Sequence, residues 1–223
     1  MNRQAIFFMA IAFLLFSCSK SSKTATDAGN NYILLTNEAD LGTPGYMGAR
    51  ATMPQGNLSN IGATSLQVAE AFGFTQYKKW IFTRTSVSGQ TGIQRFTVGA
   101  DGKISDAGFI ADGQMFHIVN DTEGYYLDEK RGTMLLQRFN PTTMQRTGQI
   151  DLSSLSMDGV EYQVVGKHTI ASKEGKLFVG VTYGTTQAQG YGDDVVDYIK
   201  MAVIDIATNT LEKTIKYDGL KGL

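Results

Sequence analysis

HIVNDTEGYYLDE at residues 117–129 and HTIASKEGKLFVG at residues 168–180 decide how this chain folds. At an offset of 51 the first segment lies on the second, with His117 on His168, Glu123 on Glu174, Gly124 on Gly175 and Leu127 on Phe178. Each copy reads as a strand, a turn carrying glycine where a hairpin needs positive φ, and a second strand. A second anchor is IQRFTV at 93–98 and LQRFNP at 136–141, at an offset of 43. Its third copy is AVIDIATNTLEKTI at 202–215, with Ile204 aligned to Phe139. Three units follow, at about 66–111, 112–157 and 158–217, each with four antiparallel strands. Repeats of this length and content are the signature of β-propeller blades. The alternative is a sandwich of unrelated hairpins; the agreement of two independent anchors favours the propeller.

Outward from these anchors the pattern has a period of two in short runs separated by turn residues. Strands are expected at Tyr32–Thr36, Trp80–Thr85, Ile93–Val98, Met115–Val119, Tyr125–Asp128, Met134–Phe139, Leu177–Tyr183, Lys200–Ile206 and Leu211–Lys216. The nearest approach to a helical stripe is Ser65–Phe72, and it is short. The fold class is therefore all-β, a propeller of four-stranded blades. Three blades are too few for a ring, so residues 31–223 are expected to form part of a longer propeller, its remainder missing through truncation, splitting or fragmentation. Tyr32–Thr36 is expected to be a closing strand for the last blade.

The first eighteen residues, MNRQAIFFMAIAFLLFSC, have a different character. Arg3 precedes an unbroken apolar run of 12 residues, Ala5–Phe16. That run suits a signal-peptide core and is too short to span a bilayer as a helix. Leu15-Phe16-Ser17-Cys18 resembles a bacterial lipobox. Cys18 is the only cysteine in the chain, and the resemblance implies that it carries a diacylglycerol thioether as the mature N-terminus. Residues 19–30 are small and polar and read as a flexible tether.

Without residues 1–17 the chain holds 19 Lys+Arg against 21 Asp+Glu, a formal charge of −2. Such a chain offers no field for a polyanion, so nucleic acid is not an expected partner. About 200 residues can bury a core without disulfides. Gly-rich phosphate loops, GxSxG and HExxH are absent from the sequence, and lipidation would take away the only thiol. No catalytic residue, cofactor or metal is nominated.

The lipobox, the polar tether, the early YILLT strand, and blades ending in QRF and DxxTNTLxKTI-like segments together resemble a family of Bacteroidota lipoprotein propellers of unknown function. The chain resembles the N-terminal half of its members. Some members capture ferric siderophores for TonB-dependent outer-membrane transporters. The resemblance implies an outer-membrane, lipid-anchored binding protein with a small-molecule ligand and a transporter partner. In many such lipoproteins an acidic run follows the cysteine; here Lys20 and Lys23 stand there, so the periplasmic and cell-surface faces both stay open. Two other readings remain at this point: a lactonase-like propeller hydrolase with a channel metal, and a structural or protein-binding lipoprotein.

Candidate ligand contacts come from loop lengths. His168 to Ile204 spans 14 more residues than His117 to Phe139, the excess falling within Tyr183–Tyr198. Propellers gather such loops on one face, with Ser86–Gly92 and Lys130-Arg131-Gly132 beside them. Arg131, Tyr183 and Tyr191, with Lys130, are the ligand-binding candidates on that face. Asp193, Asp194 and Asp197 do not have Ca²⁺-loop spacing and read as a solvated loop. His117 and His168, at equivalent repeat positions with Phe72 at the matching one, read as packing residues or as a pair lining the channel. Arg84, Arg95 and Arg138 could meet a bulky aromatic anion through charge and stacking, or face outward and pair with neighbours.

Overall fold

The computed structural model describes residues 33–37, 44–50, 65–69, 72–99, 102–128, 134–159, 162–185 and 195–217. They form fifteen strands and one 3-10 turn, Ser153–Leu155. Sheet I holds β1 (Ile33–Asn37), β2 (Pro44–Arg50) and β3 (Ser65–Ala69). Sheet II holds β4 (Phe72–Tyr77), β5 (Trp80–Val87), β6 (Gln90–Val98) and β7 (Ile104–Ala111). Sheet III holds β8 (Gly113–Ile118), β9 (Gly124–Asp128), β10 (Leu135–Asn140) and β11 (Gln145–Asp151). Sheet IV holds β12 (Tyr162–Lys173), β13 (Lys176–Thr185), β14 (Val195–Asp205) and β15 (Thr210–Tyr217). Every sheet is an antiparallel meander in sequence order. The architecture is all-β and consistent with an incomplete β-propeller.

Sheets II and III carry apolar rows on both faces and sheets I and IV on the face toward their neighbour, so three cores fill the three junctions. Met47, Ala49 and Val68 of sheet I meet Ile81, Phe96 and Ile104 of sheet II. Trp80, Phe82, Ile93 and Ile110 of sheet II meet Tyr126, Phe139 and Met144 of sheet III. Tyr125, Leu136 and Ile150 of sheet III meet Val165, Leu177, Val179, Tyr183 and Ile204 of sheet IV. Alternation along β9 shows the principle. Tyr125 faces forward into one core, Tyr126 backward into the other, and both are fully buried.

The offset of 43 survives in the register. Arg95 pairs with Gly108 and Arg138 with Gly148, and a bulge follows each arginine. In sheet IV the same bulge falls between Val203 and Ile204, so Ile204 does occupy the Phe139 position. The offset of 51 slips. Phe139 pairs with Gly124, whereas Ile204 pairs with Leu177, so Gly124 corresponds to Leu177 and not to Gly175. Gly175 sits in the turn at φ 74°. Gly124 opens β9 instead, and a Cβ there would drive into the Phe139 ring. Along the first strands His117 pairs with Tyr125, and Ala171 pairs with Phe178. His117 therefore corresponds to Ala171, and in sheet II to Thr75, which pairs with Phe82. The expected equivalence of His117, His168 and Phe72 is corrected.

Two further expectations change. The strand expected to close the last blade is β1, and it pairs with β2 inside sheet I. Ser65–Phe72 contains β3; its apolar residues Leu66 and Val68 alternate onto the I/II core. The first unit begins at Phe72 as a sheet, because Ser65–Ala69 is bonded to β2.

Candidate functional site

The loop-face candidates do not come together as expected. Lys130, Arg131, Tyr191, Asp193 and Asp194 lie outside the described residues. Tyr183 lies on β13, fully buried in the III/IV core. Its hydroxyl donates to the Leu155 carbonyl at 2.6 Å, and Lys200 Nζ stands 4.9 Å from its ring centroid. Tyr183 is a core residue that anchors the connection between sheets III and IV, which corrects its expected place on an exposed ligand face. Much of the extra length of the third unit extends the strands. β13 and β14 run 10 and 11 residues, against 5 and 6 for β9 and β10.

The arginines are engaged at the turns between strands. Arg95 projects from β6 toward sheet III. Its Nη1 donates to the carbonyls of Pro141, at 2.6 Å, and Thr142, and its Nη2 to the Ala107 carbonyl. The guanidinium sits 4.9 Å from the Trp80 ring centroid, and burial pulls its pKa down. Room for this comes from Gly108, at φ 140°, where a Cβ would lie 2.7 Å from Met144 Cγ. Arg138 holds the same register position and turns instead to its own sheet. It makes a two-pronged pair with Glu123 at 2.9 and 3.1 Å, and the hydrogen bond to Glu123 raises its pKa. Arg84 lies on β5 opposite Phe72 and Ile93. Neither Arg95 nor Arg138 has its fork free for a ligand.

Polar groups concentrate instead at the III/IV junction. His117 on β8 is half-buried, and its Nε2 lies 2.8 Å from Ser172 Oγ on β12. Burial lowers its pKa. In the same cross-strand row Tyr125 pairs with both His117 and Arg138. The Tyr125 hydroxyl donates to Asn209 Oδ1 at 2.9 Å; burial, then the nearby Glu123 charge, push its pKa up. Asn209 occupies the position of Met144 in the previous hairpin. Each has positive φ, 56° and 55°, and each amide donates to the residue four before it at 2.8 Å. The corresponding tie between sheets II and III is ionic and exposed, Lys78 to Asp121 at 2.7 Å. These cross-sheet ties could not be read from sequence, since partners such as His117 and Ser172 are 55 residues apart. The shared QRF signal did single out the two arginines.

Among the described residues no group of three or more His, Cys, Asp or Glu is placed to hold a metal ion. No helix among them is long and apolar enough to cross a membrane. No protein-family model matches the chain, and the curated proteins give no match to it.

Proposed function

We propose that this chain is a lipid-anchored, non-catalytic binding protein of the outer membrane, built on propeller-like sheets. The observation that carries the reading is Leu15-Phe16-Ser17-Cys18, directly after a 12-residue apolar run, with the chain's only cysteine at the position that lipidation requires. The ligand class comes from the family resemblance: a ferric siderophore passed to a TonB-dependent transporter. Lys130, Arg131 and Tyr191 are the residues proposed to meet it, since cations and aromatic rings suit a bulky aromatic anion. Tyr183 is withdrawn from that set.

The anchor is tested by expressing the chain in a bacterial host fed labelled palmitate. The wild type should enter the membrane fraction carrying label, and Cys18→Ala should lose it. An unlabelled wild type would sink the anchor. The ligand is tested by titrating the purified protein with a ferric catecholate and following its visible absorbance by equilibrium dialysis. Saturable binding that weakens in Arg131→Ala supports the reading, and no retention of the complex refutes it.

A further inference from the structure

The II/III and III/IV junctions are tied by different chemistry. At II/III the polar ties include Lys78 to Asp121, Arg146 to Asp112 and the Ala111 carbonyl, and Arg95 to the Pro141 and Thr142 carbonyls. Lysine, arginine and aspartate keep their charges across the neutral range. At III/IV the first strands of the two sheets are joined by His117 and Ser172 at 2.8 Å, and histidine is the side chain that changes charge between about pH 5 and 8.

We propose that the seam between β8 and β12 is a proton-responsive joint, closed when His117 is neutral and loosened when it takes up a proton. A neutral imidazole satisfies Ser172 as donor or acceptor from a half-buried site. An imidazolium there needs water or a carboxylate. Ser172 supplies only a hydroxyl, and Lys173 and Glu174, which follow it, form an exposed pair of their own at 3.8 Å. On the β9 side stands Tyr125, its hydroxyl given to Asn209. Beyond it in the same row stands the Arg138 cation, which opposes a second positive charge. The carboxylate in the β8–β9 turn, Glu123, is held by both prongs of Arg138. On the other side of β8, β5 and β6 bring Phe82 against Phe116; their cations are Arg84 and Arg95, the latter bound to backbone carbonyls. Uptake of a proton is therefore relieved by parting β8 from β12, which admits water. Because the rest of the junction is an apolar core with hydrogen bonds from Tyr125 to Asn209 and from Tyr183 to Leu155 that do not titrate in this range, opening is confined to this edge while the sheets stay folded.

Hydrogen exchange of the full-length protein, read by mass spectrometry at about pH 7.5 and about pH 5.5 and corrected for intrinsic rates, tests the joint. Segments from β8 and β12 should exchange at least about threefold faster at the lower pH, with β5 and β6 unchanged. His117→Gln should abolish the difference. Ser172→Ala, which keeps the imidazole, should raise exchange of the same strands at neutral pH and shrink the pH effect. Equal acceleration in all sheets, no acceleration in β8 and β12, or a full pH effect in His117→Gln would each overturn the proposal. Should that variant fail to fold, an unaltered Ser172→Ala profile would do so.

Discussion

Replacing Arg95 by methionine should loosen sheet II from sheet III. The side chain now supplies donors to three carbonyls in two sheets and lies over the Trp80 ring. A hydrogen bond from a charged donor contributes about 1.5–3 kcal/mol net. The Thr142 carbonyl is exposed and regains water when the arginine is removed, so the loss comes from the part-buried bonds to Pro141 across the junction and to Ala107 within sheet II, each at the low end of that range because they share one guanidinium. The ring contact adds about 0.5–1 kcal/mol. Against this, burial already disfavours the cation, and methionine leaves no buried charge behind. The balance is a loss of about 2–3 kcal/mol, or a fall in Tm of roughly 5–10 °C for a chain of this size. Reversible urea unfolding followed by fluorescence of Trp80, the only tryptophan, measures it directly. Arg95→Lys should recover less than half of the loss, because one ammonium cannot reach carbonyls on both sheets. A methionine variant within about 0.5 kcal/mol of wild type would show that these contacts hold nothing together.

Gly124→Ala places a methyl group against the Phe139 ring and should cost about 1–3 kcal/mol by overpacking; Gly175→Ala, with open space around it but φ at 74°, should cost about 1 kcal/mol through backbone strain alone. Calorimetry on the pair separates the two reasons for glycine. Tyr183→Phe strips the Leu155 carbonyl of its donor and should lose about 1–2 kcal/mol in urea melts, with affinity for a ferric catecholate unchanged; weaker binding would return Tyr183 to the ligand face. His117 has a folded-state pKa held below its ordinary value, so the unfolded chain binds the proton first. Its contribution to stability is complete above about pH 6.5 and declines as pH falls from there toward the folded-state pKa. Melting curves of wild type and Ser172→Ala between about pH 7.5 and 5 should converge on the acid side, and parallel curves would contradict that sign.

The arginine repeat was legible because it is enforced by local geometry. A bulge follows Arg95 and Arg138, and the paired glycine on the next strand leaves room for the side chain, so both identity and spacing are constrained. The histidine repeat misled for the opposite reason. Gly124 and Gly175 look alike in sequence, yet one is glycine to clear an aromatic ring and the other to turn the chain. Aligning them displaced His117 from its register partner. Sheet I was legible only as its first strand, since β2, PGYMGAR, offers small residues in place of an alternating apolar row. The sequence pattern ends this strand at Tyr183, beside the loop face, whereas β13 continues past it to Thr185.

By itself the sequence determined the position of the sole cysteine after an apolar run, the all-β class and the repeat of four-strand units. All of these rest on spacing between near neighbours, where chain geometry alone restricts the choice. Tertiary structure decided which repeat positions truly correspond, which of the polar residues meet across sheets, and that Arg95 and Tyr183 tie neighbouring sheets while Arg138 pairs within its own. Those outcomes depend on turn lengths of one or two residues, and in a sheet such a shift moves every later side chain to a new partner or to the other face.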